Sequence, residues 1–135
     1  MMKIYRIAQD FSNNAELEKS NQELQLIIKD FEVKYPGIEL WVFENEFKIH
    51  ISELRVPLEM RHQGIGSEII KKIKEFAAQR GKPLTLAPQP EYGYKKKLDD
   101  FYRGHGFVPN KGRKKDYRIS DPFARTMYWK PSQVN

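Results

Sequence analysis

The chain has 135 residues, 39% of them hydrophobic, and carries 24 Lys+Arg against 18 Asp+Glu for a formal charge of +6. That length supports one core and one domain, 1–135, and no apolar run approaches the roughly 20 residues needed to span a bilayer; with no secretory core after Met1-Met2-Lys3, the reading is a soluble cytoplasmic protein with no membrane partner. Zero cysteines exclude disulfides, thiolate metal sites and a cysteine acyl-enzyme.

In chain order, residues 3–7 alternate as a short first strand, and Ser12-Asn13-Asn14 supply N-caps for a helix over 15–34 with its apolar stripe on Leu17, Leu24, Ile27, Ile28 and Phe31. Pro36-Gly37 ends that helix, and 38–43 and 47–56 read as two strands of an antiparallel hairpin turning at Glu44-Asn45-Glu46. A strongly periodic helix follows over 65–80, with Ile65, Ile69, Ile73 and Phe76-Ala77 on one side and Gly81 and Pro83 as its stop. Residues 84–87 are a short buried strand, 88–90 an irregular link, and 94–103 a helix with Leu98, Phe101 and Tyr102 inward. A strand entered through His105-Gly106-Phe107-Val108, a basic loop over 109–122 and a last strand over 125–129 complete the order β-α-β-β-α-β-α-β-β. The fold class is α/β (α+β): a mixed, mostly antiparallel sheet around one parallel strand-helix-strand unit, with helices on both faces.

Charge is split along the chain. Residues 1–60 hold 7 Lys+Arg and 11 Asp+Glu, a balance of −4, and residues 61–135 hold 17 and 7, a balance of +10. The basic half begins with Arg61-His62-Gln63-Gly64-Ile65-Gly66, at the corner between a strand and a helix. Glycines there admit backbone conformations closed to other residues, and the first helical turn offers unpaired N–H groups at a positive dipole end, so the corner is built for an anion. A phosphate-rich cofactor suits this field; so does nucleic acid, with Lys95-Lys96-Lys97 and the 111–118 loop tracking phosphates and Tyr92, Tyr94, Tyr102 and Tyr117 interleaved, although the corner does not require it. His50, His62 and His105 lack metal-ligand spacing, so no metal is expected, and neither a Gly-x-Ser-x-Gly elbow nor the Lys-Ser/Thr ending of a nucleotide P-loop is present.

Leu54-x-Val56-Pro57-x-x-x-Arg61-x-x-Gly64-x-Gly66, the helix to Gly81, and then Phe101-Tyr102-x-x-x-Gly106-Phe107 together resemble the GNAT superfamily of acyl-CoA-dependent N-acetyltransferases, most strongly over 47–108. The resemblance implies acetyl-CoA as cosubstrate. Backbone groups of Leu54, Arg55 and Val56 would pair with the pantetheine amides, and Arg61, His62, Gln63, Gly64, Ile65 and Gly66, with Ser67, would hold the pyrophosphate, His62 and Gln63 through main chain alone. Tyr102 matches the family's general acid for the departing thiolate, although its spacing also fits a core tyrosine. Lys95 stands where the family often has an Asn that contacts the cofactor, and a lysine there could reach phosphate. The candidate base is Glu53 or His50: the two have opposite parity on one strand, so only one faces a cleft unless a bulge intervenes. The implied reaction moves an acetyl group to a primary amine of a small molecule or protein by direct attack, in a monomer or homodimer. The alternatives are the nucleic-acid module and a GNAT-like sensor that binds acyl-CoA without turnover. Acceptor choice would reside in the 8–20 segment, the strand hairpin and the 109–124 loop.

Overall fold

No Gly or Pro occurs before Pro36, so nothing interrupts a helix once it has nucleated over the Leu24-Ile28-Phe31 stripe. The computed structural model describes the backbone of residues 2–89, 93–111, 115–116, 118–119 and 125–131, and side chains from residue 15 onward. In it, helix α1 runs over Met2–Lys34. The strand expected over 3–7 is therefore absent: strand propensity is realised only against a partner, and a five-residue alternation with no breaker after it continues the helix instead.

The hairpin forms as expected, from β1 (Glu39–Glu44) and β2 (Ile49–Arg55). Asn45 closes it, its side-chain carbonyl accepting the N–H groups of Phe47 at 2.8 Å and Lys48 at 2.9 Å. After a single 3-10 turn at Leu58–Met60 comes α2 (Ile65–Arg80), then β3 (Leu84–Leu86), α3 (Lys95–Gly104), β4 (Val108–Pro109) and β5 (Met127–Trp129). The strand order is β1-β2-β3-β5-β4, with β2 and β3 parallel across α2 and the other pairs antiparallel. This is the mixed sheet with a central parallel strand-helix-strand unit. Of the basic loop, residues 112–114, 117 and 120–122 lie outside the described residues, and with them Arg113 and Lys114.

Helix α2 is central. Ile69 and Ile70, adjacent in sequence and therefore about 100° apart around the helix, are both fully buried, as is Ile73, so more than one neighbour covers it. On one side lies the sheet, with Ile49, Ile51, Leu84 and Leu86 in the same core; on another lies the end of α1, through Phe31 and the bond from Lys34 to Glu68 at 2.8 Å.

One buried carboxylate ties these layers together, and no motif or periodicity singles it out. Glu44, at the end of β1, accepts hydrogen bonds from Ser20 of α1, from Arg80 at 2.8 Å and from Lys82 at 2.6 Å. Asn21 meanwhile bonds to both its main-chain N–H and its carbonyl. Burial pushes the carboxyl up, but the hydrogen bonds from Lys82, Ser20 and Arg80 more than offset this and hold it below the ordinary carboxylate range. Glu44→Ala removes the shared partner of Arg80 and Lys82, which are both partly exposed, and is expected to cost about 1.5–3 kcal/mol in denaturant unfolding. Because the folded-state pKa is depressed, this contribution is present above the ordinary glutamate value and is lost as pH falls through the lower folded value. Wild type should thus lose stability on acidification through a component that Glu44→Ala lacks.

Candidate active site

The site begins where two strands part. β2 and β3 pair at Ile49↔Leu84, His50↔Thr85 and Ile51↔Leu86 and then stop, whereas β2 continues to Arg55 against β1. Two local features explain the parting. Pro88, just past β3, lacks the N–H a further rung would need. On the other side the register steps from Trp41↔Glu53 to Val42↔Ile51, leaving Ser52 as an extra residue, a bulge that bends β2 away. No described strand runs beside Ser52–Arg55 on that edge, and a cleft of about 770 Å³ opens there, with Glu53, Leu54, Arg55 and Val56 in its wall.

At its far end the cleft meets the head of α2. Gly64, which precedes the helix, has φ +80°, and His62 has φ +66°, so two left-handed positions bracket Gln63 and turn successive backbone groups inward. A Cβ on Gly64 would meet nothing within 4 Å; the space before the helix is open, as an anion site requires. Gly66 serves packing instead. A Cβ there would come within 3.1 Å of the Phe101 ring, so this glycine lets α3 lie against the first turn of α2. Arg61 lies within the loop, its Nε donating to the Val56 carbonyl at 2.7 Å, which ties residue 61 back to the chain just past β2. Gly64, Ile65, Gly66, Ser67, Arg61 and His62 all line the cleft. Gln63 does not, and its side-chain amide turns back to the Glu59 carbonyl at 3.5 Å.

Helix α3 supplies the remaining wall. Tyr94, Lys97, Leu98 and Phe101 follow one face of it, with Tyr102 at the edge of that face. Lys95 is exposed and does not line the cleft; the α3 cation that does is Lys97, its Nζ 5.4 Å from the centre of the Tyr94 ring. Tyr102 is only 5% exposed, its ring edge-on to Phe101 at 5.2 Å and to Phe107 at 5.8 Å. Its hydroxyl bonds to no described residue, and no fully buried described polar atom lacks a partner, so that oxygen opens on the cleft. Burial pushes the phenol pKa up to about 12, and the charge of Glu53 adds to the rise. At neutral pH the cleft holds a protonated phenol with a carboxylate near enough to be felt.

The bulge also changes the relation of the two candidate bases. Because Ser52 is the extra residue, His50 and Glu53 share a face of the sheet instead of opposing each other. His50 lies within the paired part of β2, its Nδ1 2.7 Å from Thr85 Oγ1 and its ring 5.4 Å from that of Phe43, and it is not in the cleft wall. Glu53 lies beyond the last rung and is.

Solved structures share this architecture. The anti-CRISPR protein AcrVA5 is 26% identical, with a TM-score of 0.52 over 69% of this chain and 90% of its own. Ard1 from Thermoplasma volcanium is 16% identical, with a TM-score of 0.53 over 81% of this chain and 80% of its own. Both are GNAT acetyltransferases. The chain has the GNAT fold. No protein-family model matches it, and no curated protein sequence does either.

Within the GNAT fold the cleft between parted strands and the left-handed corner before α2 form one continuous groove, and the chain's own groups suit an acyl-CoA in it. Open space lies before N–H groups at a helix N-terminus, a polar strand edge lies beside it, and Lys97 stands at the rim. Behind the corner is a residue that the sequence presents only at the entry to a strand. His105 places Nε2 3.0 Å from Ser67 Oγ and its ring edge-on to Phe101 at 4.9 Å, while its carbonyl accepts from Lys74 at 2.8 Å. Burial, with Lys74 and Lys71 nearby, pushes its pKa below the usual histidine value, so at neutral pH it buttresses Ser67 as a neutral ring. Its place four residues after Phe101, just past the helix end, is the only sequence signal it carries. No described group of three His, Asp or Glu is placed to hold a metal, and no described helix is long and apolar enough to cross a membrane.

Proposed function

We propose that this chain is an N-acetyltransferase that moves an acetyl group from acetyl-CoA to an amine by direct attack. The observation that carries the reading is the coincidence, in one cleft, of a strand edge with no described strand beside it beyond Ile51, an anion corner at Gly64 and a protonated phenol at Tyr102. Main chain of 54–56 would hold the amide-bearing arm, and the N–H groups at the head of α2 the pyrophosphate. The thioester supplies an activated acyl carbon.

An amine with a pKa near 10.4 is neutral in about one part in a few thousand at pH 7, so the site must remove a proton. Among the described residues of the cleft wall, Glu53 is the carboxylate. Glu53 first takes the ammonium proton and hands it to solvent; as the neutral nitrogen then bonds to the acyl carbon and the carbon–sulfur bond breaks, nitrogen's second proton passes to Glu53 and sulfur takes one from Tyr102, the two side chains then re-equilibrating through water. No residue of the chain is acylated. Thiol release from acetyl-CoA should appear with at least one member of a panel of primary amines and polyamines, and a wild-type rate with Glu53→Gln would remove that residue from the base role.

A further inference from the structure

One face of the hairpin is apolar, exposed and joined to the cleft. Trp41 and Phe43 are 69% and 42% exposed, and Phe47 beside the turn is 50% exposed, whereas the other large apolar side chains of β1 and β2 lie in or against the core. Their placement is set by the register. Trp41 is the direct cross-strand partner of Glu53, and Phe43 that of His50. Directly opposed residues project to the same side with Cβ atoms about 5 Å apart, so an aromatic row runs along β1 and ends beside Glu53, the one carboxylate among the described residues of the cleft wall. Without the bulge at Ser52 this neighbour relation would not exist: Glu53 would project to the core side, and the row would end at nothing chemical.

A single exposed aromatic needs no explanation, but a contiguous row on a bare strand pair does. Its surroundings indicate what covers it. The hairpin belongs to the acidic half of the chain, 11 Asp+Glu against 7 Lys+Arg over residues 1–60, whereas the cofactor corner opens the half that carries +10. On this face Glu53 stands opposite a tryptophan instead of a cation, Glu46 is exposed in the turn, and Glu39, at the start of β1, faces Arg55. An aromatic face bordered by carboxylates attracts cations twice, through charge and through the ring quadrupoles, and it excludes polyanions.

We infer that the face of β1 and β2 bearing Trp41, Phe43 and Glu53 is the acceptor-docking surface, and that its occupant is a basic peptide segment of a protein, which lies across the aromatic row and delivers a lysine side chain into the cleft at Glu53. This rests on the acetyltransferase reading for its chemistry but not for its binding. A lysine suits the geometry: its four-carbon stem packs along Trp41 while the amine reaches past the last rung of β2 and β3. A small amine could use Glu53 but would leave the aromatic row without a role.

The test compares two blocked peptides with one central lysine, one flanked by Arg and Leu and the other by Glu and Leu, with putrescine as a small acceptor. Trp41→Ser and Phe43→Ser change exposed side chains remote from the anion corner. The inference expects the basic peptide to be preferred at least tenfold in kcat/KM. Trp41→Ser should raise its KM about tenfold with little change in kcat, while leaving putrescine turnover and CoA affinity as in wild type. Anisotropy of the fluorescent basic peptide, with no cofactor present, should show the same Trp41-dependent loss of binding. Equal use of the two peptides, putrescine outperforming both, or peptide binding indifferent to Trp41→Ser and Phe43→Ser would each overturn it. Should CoA fail to bind while the basic peptide still docks through Trp41, the docking surface stands and the acetyltransferase reading falls.

Discussion

Tyr102→Phe is expected to lower turnover by about 10²- to 10⁴-fold at saturating substrates while leaving CoA affinity nearly unchanged, the range a positioned general acid contributes. The asymmetry follows from where the two parts of the side chain sit. The ring is clamped edge-on by Phe101 and Phe107 and is just as well packed in phenylalanine, whereas the hydroxyl bonds to no described residue and opens on the cleft. Burial and the neighbouring Glu53 push the phenol up to about 12, so it remains a proton donor across the working range and contributes no limb to the pH–rate profile below about pH 10. The same rise makes the protonated phenol a stabilising feature below the ordinary tyrosine value near 10, lost as pH climbs through the folded value. Equal turnover by the Phe variant would reduce Tyr102 to a packing residue.

Gly66→Asp is expected to abolish measurable CoA binding, a loss of at least about 100-fold, or roughly 2.7 kcal/mol. Two effects combine there. Any Cβ at 66 meets the Phe101 ring at 3.1 Å and crowds it, and the carboxylate then sits at the positive helix end that the pyrophosphate would occupy. Gly66→Ala isolates the first effect: the ring has to give by a few tenths of an ångström, so binding should weaken by far less than in the Asp variant. Similar losses in the two variants would show that position 66 acts only through packing and that the anion lies elsewhere.

These expectations rest on features of unequal legibility in the sequence. The corner at 61–66 and α2 can be read directly, because Gly64, Gly66 and the isoleucine period are local signals whose meaning depends little on the rest of the chain. The helix start cannot: 3–7 alternates like a strand, and only the absence of a sheet partner and of any breaker before Pro36 decides for α1. The bulge at Ser52 puts His50 and Glu53 on one face, which strand parity alone leaves open, and the choice between them turns on where β2 and β3 stop pairing; both are defined by register with neighbouring strands and not by the residues' own identity. Lys95 matches a family position by spacing, yet the phase of α3 brings Lys97 to the cleft instead. Glu44 and His105 carry no motif at all, since their roles come from partners 24 to 38 residues away in sequence.

The central claim, that the parted strands and the corner before α2 form an acyl-CoA groove, is tested most directly by calorimetric titration of the folded protein with CoA, which requires neither an acceptor nor turnover. The expected result is one site with a dissociation constant between about 1 μM and 1 mM, the range usual for enzyme substrates, with a melting temperature that rises with ligand concentration and no binding heat in Gly66→Asp. Folded wild-type protein that takes up no CoA at millimolar concentration would contradict it.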